Sequence, residues 1–215
     1  MEQDPRYRKS PAETLQDIRD MMARSSRFLS LSGLSGVAAG IWALAGAWVA
    51  NRWIARSGGG PQEIKTTGFP DLWTKLLLLA AAVLLLALIS AIFFTRRKAL
   101  RRGLPFWDMT ARRLVGTMLI PLASGGLIIL ALLQYGEWRF AVPLSLVFYG
   151  IALVSGSRYT LREVGYLGLL QITLGLAATQ FPREGLYFWA GGFGALHIVY
   201  GLMMWWKYDR VENQS

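Results

Sequence analysis

Six stretches of the chain contain no Asp, Glu, Lys or Arg, and each is 18 to 24 residues long. A bilayer core about 30 Å thick is crossed by about 20 helical residues, each rising about 1.5 Å. Helices of a soluble bundle carry charged residues on their water-facing side, and these stretches carry none. The pattern therefore predicts an all-α membrane protein with six transmembrane helices, over residues 28–51, 76–95, 114–136, 140–157, 164–182 and 185–206.

The segment before the first span predicts a helix of a different kind, over about residues 11–26. Ser10-Pro11-Ala12-Glu13 is typical of a capped helix start with Pro at the first helical position. One side of this helix collects Leu15, Ile18, Met21, Met22 and Ser25. Such an amphipathic helix is expected to lie at the membrane interface, and a polar extension of the first span is the alternative. The predicted organisation is a cytoplasmic segment 1–27, a transmembrane domain 28–206 and a cytoplasmic tail 207–215.

Positive charge is distributed unevenly between the two ends of the predicted spans. Of the 23 Lys and Arg residues, 17 fall in the N-terminal segment, the 96–113 loop, the 157–162 turn and the C-terminal tail. Because basic residues stay on the cytoplasmic side, this excess predicts both termini inside a bacterial inner (plasma) membrane. The net charge of +10 is then expected to attract anionic lipids, at about 1 kcal/mol per basic residue near the surface. Nucleic acid is not a predicted partner, since no recognition motif accompanies the charge.

Corresponding positions in the spans indicate an internal repeat. Each odd-numbered span begins with Arg, then has a small residue three positions later and Gly thirteen positions later: Arg27, Ser30 and Gly40; Arg113, Gly116 and Gly126; Arg162, Gly165 and Gly175. Two even-numbered spans contain Tyr-Gly near their ends, at Tyr149-Gly150 and Tyr200-Gly201. We predict three tandem helical hairpins, with two inverted halves of three spans as the alternative. Small residues in these spans are compatible with internal packing, a homo-oligomer or a protein partner.

The final hairpin, from Tyr166-Leu167-Gly168 to Gly194-Ala195-Leu196-His197-Ile198-Val199-Tyr200-Gly201, resembles the hairpin repeat of HdeD-like acid-resistance membrane proteins. The chain more closely resembles an uncharacterised family of six-span bacterial inner-membrane proteins. That resemblance is carried by the small residues of 30–36, Pro105-Phe106-Trp107-Asp108, Tyr159-Thr160-Leu161 and Lys207-Tyr208. Both resemblances imply a six-span fold, and neither implies a catalytic residue.

Polar residues inside the predicted spans form a candidate polar seam. His197 lies near the middle of the sixth span, and an ionisable group there is a functional hypothesis by default. The alternative is a neutral imidazole that bonds to a neighbouring helix. Gln171 in the fifth span is its expected partner, because these two spans form a tight hairpin. The complete candidate seam is His197, Gln171, Thr173, Ser32 and Ser35.

Charged residues at the start of the fifth span are candidates for a cytoplasmic gate. Glu163 follows Arg162 where the span begins, and a carboxylate at a helix N-terminus is stabilised by the helix dipole. That structural role is one interpretation of Glu163. The other is a gate formed with Arg162, Arg113 or Arg27.

The composition narrows the chemistry that the chain can perform. Because it has no Cys and one His, thiolate nucleophiles and sites ligated by Cys or several His are excluded. We expect no catalytic, cofactor-binding or metal-binding residues, and no enzyme. The expected function is passage of a small solute or proton, or envelope stress tolerance. The alternative is a membrane scaffold or sensor that docks a partner through its basic cytoplasmic face, chiefly residues 1–27 and 96–113.

Overall fold

The computed structural model describes residues 15, 32–56, 70–101, 103 and 106–209. Over these residues the chain is helical, and six helices follow one another: α1 Gly33–Arg56, α2 Pro70–Arg101, α3 Met109–Gln134, α4 Ala141–Gly156, α5 Arg162–Ala178 and α6 Pro182–Tyr208. Five of them are long and apolar enough to cross a membrane, α4 when its flanking 3-10 turns are included as Trp138–Tyr159. The exception is α5, which has 17 residues. The all-α class and the multi-pass membrane character are therefore confirmed. A sixth span and the hairpin repeat stay predictions.

Both ends of α3 have residues typical of helix termini. Asp108 caps the start of α3, since its side chain accepts a 2.7 Å hydrogen bond from the Ala111 backbone N–H. At the other end of α3, Gly136 adopts a positive φ of 75°, a conformation that glycine adopts readily and that ends helices. The amphipathic helix predicted over 11–26 lies outside the described residues, except for helical, exposed Leu15.

α1 and α6 approach each other through glycines. A Cβ atom at Gly201 would lie 2.5 Å from the Val37 backbone nitrogen and 2.6 Å from the Gly33 carbonyl oxygen. A Cβ atom at Gly40 would likewise lie 2.6 Å from the Gly194 carbonyl oxygen. Because lipid tails are as apolar as Leu side chains, the hydrophobic effect does not drive helices together within a bilayer. Close backbone packing is then a main source of helix association. The small residues of the first span therefore serve as a packing surface.

α4 and α5 form a second close pair. A Cβ atom at Gly150 would lie 2.6 Å from the Gly168 carbonyl oxygen, and one at Gly168 would lie 2.7 Å from the Gly150 carbonyl oxygen. α3 packs on α4 beside Gly125, whose missing side chain leaves room for Phe148, and α2 packs on α1. α2 and α3 are the peripheral helices, because only a small part of each is buried against the rest of the bundle. The core therefore lies between α1, α4, α5 and α6.

One end of the bundle carries most of the described basic side chains. Gly33 of α1 contacts Trp205 of α6 there, and Glu163 of α5 pairs with Lys207 of α6. The exposed basic residues at the helix termini on this side are Arg96, Arg97, Arg101, Arg112, Arg113, Arg158, Arg162 and Lys207. We call this side the basic end, and the side where α6 begins the opposite end.

Candidate functional site

α6 departs from regular α-helical geometry where it crosses the core. An α-helical turn, Gly185–Trp189, leads into a π-helical segment, Ala190–Leu196, and then into an α-helical segment, His197–Met204. A π-helix has i→i+5 hydrogen bonds and wider turns, and it is frequently found at functional sites. Three glycines in this segment, Gly191, Gly192 and Gly194, reduce the side-chain bulk that the wider turn must accommodate.

Both ring nitrogens of His197 have hydrogen-bond partners. Nδ1 lies 3.0 Å from the Gly192 carbonyl oxygen, and Nε2 lies 2.8 Å from the Tyr149 hydroxyl of α4. Because a carbonyl oxygen only accepts, Nδ1–H is the donor in the first bond. In a neutral imidazole Nε2 then accepts, so the Tyr149 hydroxyl donates to it. His197 is 6 % exposed, so its hydrogen bonding is fulfilled inside the bundle.

Gln171 of α5 joins the same group of side chains. Its Nε2 donates a 2.8 Å hydrogen bond to the Gly192 carbonyl oxygen, the acceptor that His197 also uses. Gln171 is fully buried, and its Oε1 has no hydrogen-bond partner within the described part of the chain. The structure thus brings Gln171 and His197 together through one shared carbonyl. We call His197, Gln171, Tyr149 and the Gly192 carbonyl the His197 cluster.

Aromatic rings cover the His197 cluster toward the opposite end. Phe193 stacks against His197, with centroids 6.1 Å apart and an interplanar angle of 21°, and it also contacts Tyr149 at 5.1 Å. Trp189, one turn farther out, contacts Phe193 at 5.4 Å. One face of the His197 ring is therefore covered by a hydrocarbon ring that neither donates nor accepts a conventional hydrogen bond, while the Nδ1 edge contacts the Gly192 carbonyl.

The remaining candidate seam residues lie apart from the His197 cluster. Ser32 and Ser35 are buried near the basic end, where the Ser35 hydroxyl donates to the Ser32 carbonyl oxygen at 2.5 Å. Thr173 is exposed, and its hydroxyl donates to the Leu169 carbonyl oxygen of its own helix at 3.0 Å. Of the five candidate residues, the described contacts place His197 and Gln171 in the His197 cluster, and they connect Ser35 to Ser32 separately.

Glu163 holds α5 against α6 at the basic end. Its Oε1 accepts hydrogen bonds from Lys207 Nζ at 2.5 Å and from the Tyr208 hydroxyl at 2.8 Å. It lies just before the uncharged run 164–182. Partial burial opposes its ionisation, but the hydrogen bonds, first that from Lys207, hold the pKa of the Glu163 carboxyl below its ordinary value.

The three arginines proposed to form a gate with Glu163 are described next. Arg113 and Arg162 are exposed at the basic end, and Arg27 lies outside the described residues. Within the described part, the ion-pair partner of Glu163 is Lys207. Lys207 was not among the candidate residues, although its position after the last uncharged run puts it at the same membrane surface as Glu163.

Two further members of the His197 cluster were absent from the sequence-based candidates. Tyr149 lies in an apolar run, where a tyrosine is normally interpreted as part of the core, and Gly192 contributes a backbone atom. The repeated Tyr-Gly pair was the signal for Tyr149. No comparable signal identifies the Gly192 carbonyl, because its role depends on the π-helical geometry.

Comparison with protein-family models, curated proteins and solved structures found no match for this chain. Residues 32–56, 70–101 and 106–209 bring together no group of three or more His, Asp or Glu side chains suited to a metal ion. The arrangement in α4–α6 supplies one imidazole, one phenol and one amide. These groups can hold or pass a proton and can bind a small hydrogen-bonding molecule.

Tyr149→Phe tests whether the Tyr149 hydroxyl supports the His197 cluster. The change deletes one buried hydrogen bond and leaves His197 Nε2 without a donor, so the free energy of unfolding is expected to fall by about 1–2 kcal/mol. The measurement is unfolding by sodium dodecyl sulfate in mixed micelles. Tyr166→Phe, at an exposed position of α5, is the matched control and should change stability by less than about 0.5 kcal/mol. Equal effects of the two variants would contradict this role.

Proposed function

We propose that this chain is a non-enzymatic multi-pass membrane protein that passes a proton, or a small solute that carries one, by way of the His197 cluster. The observation that carries the proposal is an imidazole inside the helix bundle with both nitrogens hydrogen-bonded, to Tyr149 and to the Gly192 carbonyl. Histidine changes charge near neutral pH. Ionisable groups inside a membrane are costly, and they commonly mark proton relays and solute pathways.

The setting of His197 supports the same proposal. The imidazole lies just past the middle of α6 and directly after a π-helical segment, and such segments are frequently found at functional sites. The neighbouring Gln171 has a buried Oε1 that lacks a partner among the described residues. An unsatisfied buried acceptor costs about 1–3 kcal/mol of stability. A bound molecule that donates an N–H or O–H hydrogen bond to Gln171 Oε1 would recover this free energy.

We further propose that the basic end faces the cytoplasm of a bacterial inner membrane, with both termini on that side. The support is the concentration of 17 of the 23 basic residues in segments assigned to this side. Anionic lipids are then the expected partners of the exposed arginines. Passage of protons through such a protein would serve envelope stress tolerance.

The experiment is a proton-flux assay in proteoliposomes. A potassium diffusion potential drives protons inward, and a trapped pH-sensitive dye reports their entry. Wild-type protein is expected to give flux above protein-free liposomes, and His197→Ala is expected to return it to that background. Thr173→Ala, at an exposed threonine of α5, is the matched control and should keep wild-type flux. Background flux from both the wild-type protein and His197→Ala would eliminate the proposal.

A second candidate function is docking of a partner at the basic end. The specific support is the group of exposed arginines that includes Arg112 and Arg113 at the start of α3. An acidic protein surface would be complementary to them. Under this hypothesis, Arg112→Glu combined with Arg113→Glu should abolish co-purification of a partner. The His197→Ala variant should retain that partner.

A further inference from the structure

The glycine contacts between α1 and α6 recur between α4 and α5. A Cβ atom at Gly40 would lie 2.6 Å from the Gly194 carbonyl oxygen, and one at Gly150 would lie 2.6 Å from the Gly168 carbonyl oxygen. The contacts relate Gly33, Val37 and Gly40 of α1 to Pro143, Val147 and Gly150 of α4, and Gly194, Ile198 and Gly201 of α6 to Gly168, Ile172 and Gly175 of α5. The spacing of these positions is identical in the two pairs, so one helix pair repeats the other.

The sequences of the two helix pairs agree in the same alignment. Residues 34–46 of α1 and 144–156 of α4 share the pattern Leu-Ser-x-Val-x-x-Gly-Ile-x-x-x-x-Gly. Residues 191–202 of α6 and 165–176 of α5 share the pattern Gly-x-x-Gly-x-Leu-x-Ile-x-x-Gly-Leu. Common contacts and a common sequence pattern together indicate an internal repeat.

The two pairs are inverted relative to each other. α1 and α5 begin at the basic end, whereas their counterparts α4 and α6 end there. α2 packs on α1 beside Gly46, and α3 packs on α4 beside the corresponding Gly156. An approximate half-turn about an axis in the membrane plane therefore exchanges a first half, α1, α2 and α6, with a second half, α3, α4 and α5. The first half is not contiguous in the sequence, so a repeat sought in chain order does not reveal it.

The His197 cluster lies where the two halves meet. His197 belongs to the first half and Gln171 to the second, and they occupy the same position of the repeated pattern. Both donate to the Gly192 carbonyl oxygen, and the Tyr149 hydroxyl of the second half donates to His197. Corresponding residues that share one partner lie beside the axis of the half-turn. In inverted repeats, solute and ion sites lie at the interface between the repeats, near the middle of the membrane.

The interface between the halves differs from the packing within them. Within each half, the contacts of Gly40 and Gly150 place backbone against backbone. Across the interface, Gly192 meets side-chain atoms of Gln171 and Leu146. Packed elements slide past each other through small adjustments of such side chains, whereas contacts between backbones leave no comparable freedom. The two halves are therefore the units expected to move.

Each end of the bundle has a contact that joins the two halves. At the basic end, Glu163 of the second half pairs with Lys207 of the first. At the opposite end, Trp138 of the second half lies against Trp73 of the first, with ring centroids 5.6 Å apart. The His197 cluster lies between these two contacts, so opening either end requires the halves to separate there.

We propose that the two halves rock against each other about the His197 cluster, which opens alternately to the basic end and to the opposite end. Because the halves correspond, a conformation open at one end has a counterpart open at the other. Glu163 separates from Lys207 in the first conformation, and Trp73 separates from Trp138 in the second. His197 takes up a proton while open to one end and releases it while open to the other. This rests on the proposed function and deepens it, since it gives a route between the two sides.

The first experiment links the halves through introduced cysteines, since the chain contains none of its own. Glu163→Cys with Lys207→Cys spans the halves at the basic end, and Trp73→Cys with Trp138→Cys spans them at the opposite end. A short reducible linker with two thiol-reactive groups joins each pair in proteoliposomes. Linking either pair is expected to reduce proton flux in the dye assay to the protein-free level, and reductant is expected to restore it.

The matched control links two helices of one half. Trp42 of α1 donates a 3.1 Å hydrogen bond to Ser90 of α2, so Trp42→Cys with Ser90→Cys places the linker within the first half. Linking this pair is expected to leave flux unchanged. Comparison of each protein before and after linking separates the effect of the linker from that of the substitutions. Flux that survives linking across the halves, or that is lost equally in the control, would overturn the proposal.

A second experiment detects the motion without flux. Pulsed electron paramagnetic resonance measures distances across the halves between spin labels on cysteines that replace exposed residues, Arg97 and Arg158 at the basic end and Lys75 and Tyr135 at the opposite end. Glu163→Gln weakens the contact at the basic end. It is therefore expected to raise the population with the longer distance at the basic end and to lower it at the opposite end. Glu184→Gln, at an exposed carboxylate, should change neither.

The two experiments separate this inference from the proposed function. Equal distances in wild type and Glu163→Gln, or a change of the same sign at both ends, would overturn the rocking motion. Changes of opposite sign at the two ends, with background flux from the wild-type protein, would overturn the proposed function and leave the motion standing.

Discussion

Gly201→Ala is expected to lower the free energy of unfolding by about 3 kcal/mol, as an overpacked backbone contact. The new Cβ atom would lie 2.5 Å from the Val37 nitrogen and 2.6 Å from the Gly33 carbonyl oxygen. Both are backbone atoms, so no side-chain rotation relieves the contact and the two helices must separate. Alanine is a better helix former than glycine by about 1 kcal/mol, which is too little to offset the loss. Unfolding by sodium dodecyl sulfate in mixed micelles measures the difference.

Gly126→Ala is the control for the Gly201 prediction. Gly126 also lies inside a long helix, but a Cβ atom there meets nothing within 4 Å. The change is therefore expected to leave stability unaltered or to raise it by up to about 1 kcal/mol through helix propensity alone. If both variants shift stability equally, the glycine contact between α1 and α6 does not hold the bundle together.

The existence of the helices was predictable because lipid imposes a simple rule. A run without charge that is long enough to cross the membrane must satisfy its own backbone, and the helix is the single-segment way to do so. Helix length was less predictable. α2 extends over Pro70–Arg101, well beyond the uncharged run 76–95, since Lys75 and the terminal arginines can extend toward the headgroups while the backbone stays helical. The uncharged run shows which residues can be buried in the hydrocarbon core, and it does not show where the helix begins or ends.

The spatial relation of the candidate polar residues was only partly predictable. Gln171 and Thr173 are two positions apart in a helix, so they point to different faces. The burial of Gln171 and the exposure of Thr173 agree with that geometry. Helical spacing is therefore an argument against a candidate seam that includes both residues. The partner of His197 on α4, Tyr149, required knowledge that α4 packs beside α6. The repeated Tyr-Gly pair marks Tyr149 as a corresponding position in two spans, but no local pattern indicates which helix packs beside α4.

The π-helical segment of α6 was also beyond sequence-based prediction. Its glycines are visible in the sequence, but glycine permits many backbone conformations and specifies none of them. The Gly192 carbonyl accepts hydrogen bonds from the side chain of Gln171, on another helix, and from the side chain of His197. These contacts are tertiary, so they exist only after the helices have packed.

Gly192→Ala is expected to lower the free energy of unfolding by about 2 kcal/mol, because it crowds side chains that are already fully buried. A Cβ atom there would lie 2.7 Å from Gln171 Oε1 and would overlap the side chain of Leu146. Both Gln171 and Leu146 are 0 % exposed, so neither has free space to enter. Displacing Gln171 also breaks its hydrogen bond to the Gly192 carbonyl, which adds about 1 kcal/mol.

Gly191→Ala provides the matched control for Gly192→Ala within the same π-helical segment. A Cβ atom at Gly191 makes an ordinary 3.8 Å contact with the Leu174 side chain, so stability should change by less than about 1 kcal/mol. The nitrogen-15 signals of His197 are a second readout, because Gly192 holds its Nδ1–H. They are expected to shift in Gly192→Ala and to stay in place in Gly191→Ala. Unchanged stability and unchanged signals in Gly192→Ala would show that the close packing around the Gly192 carbonyl does not position His197.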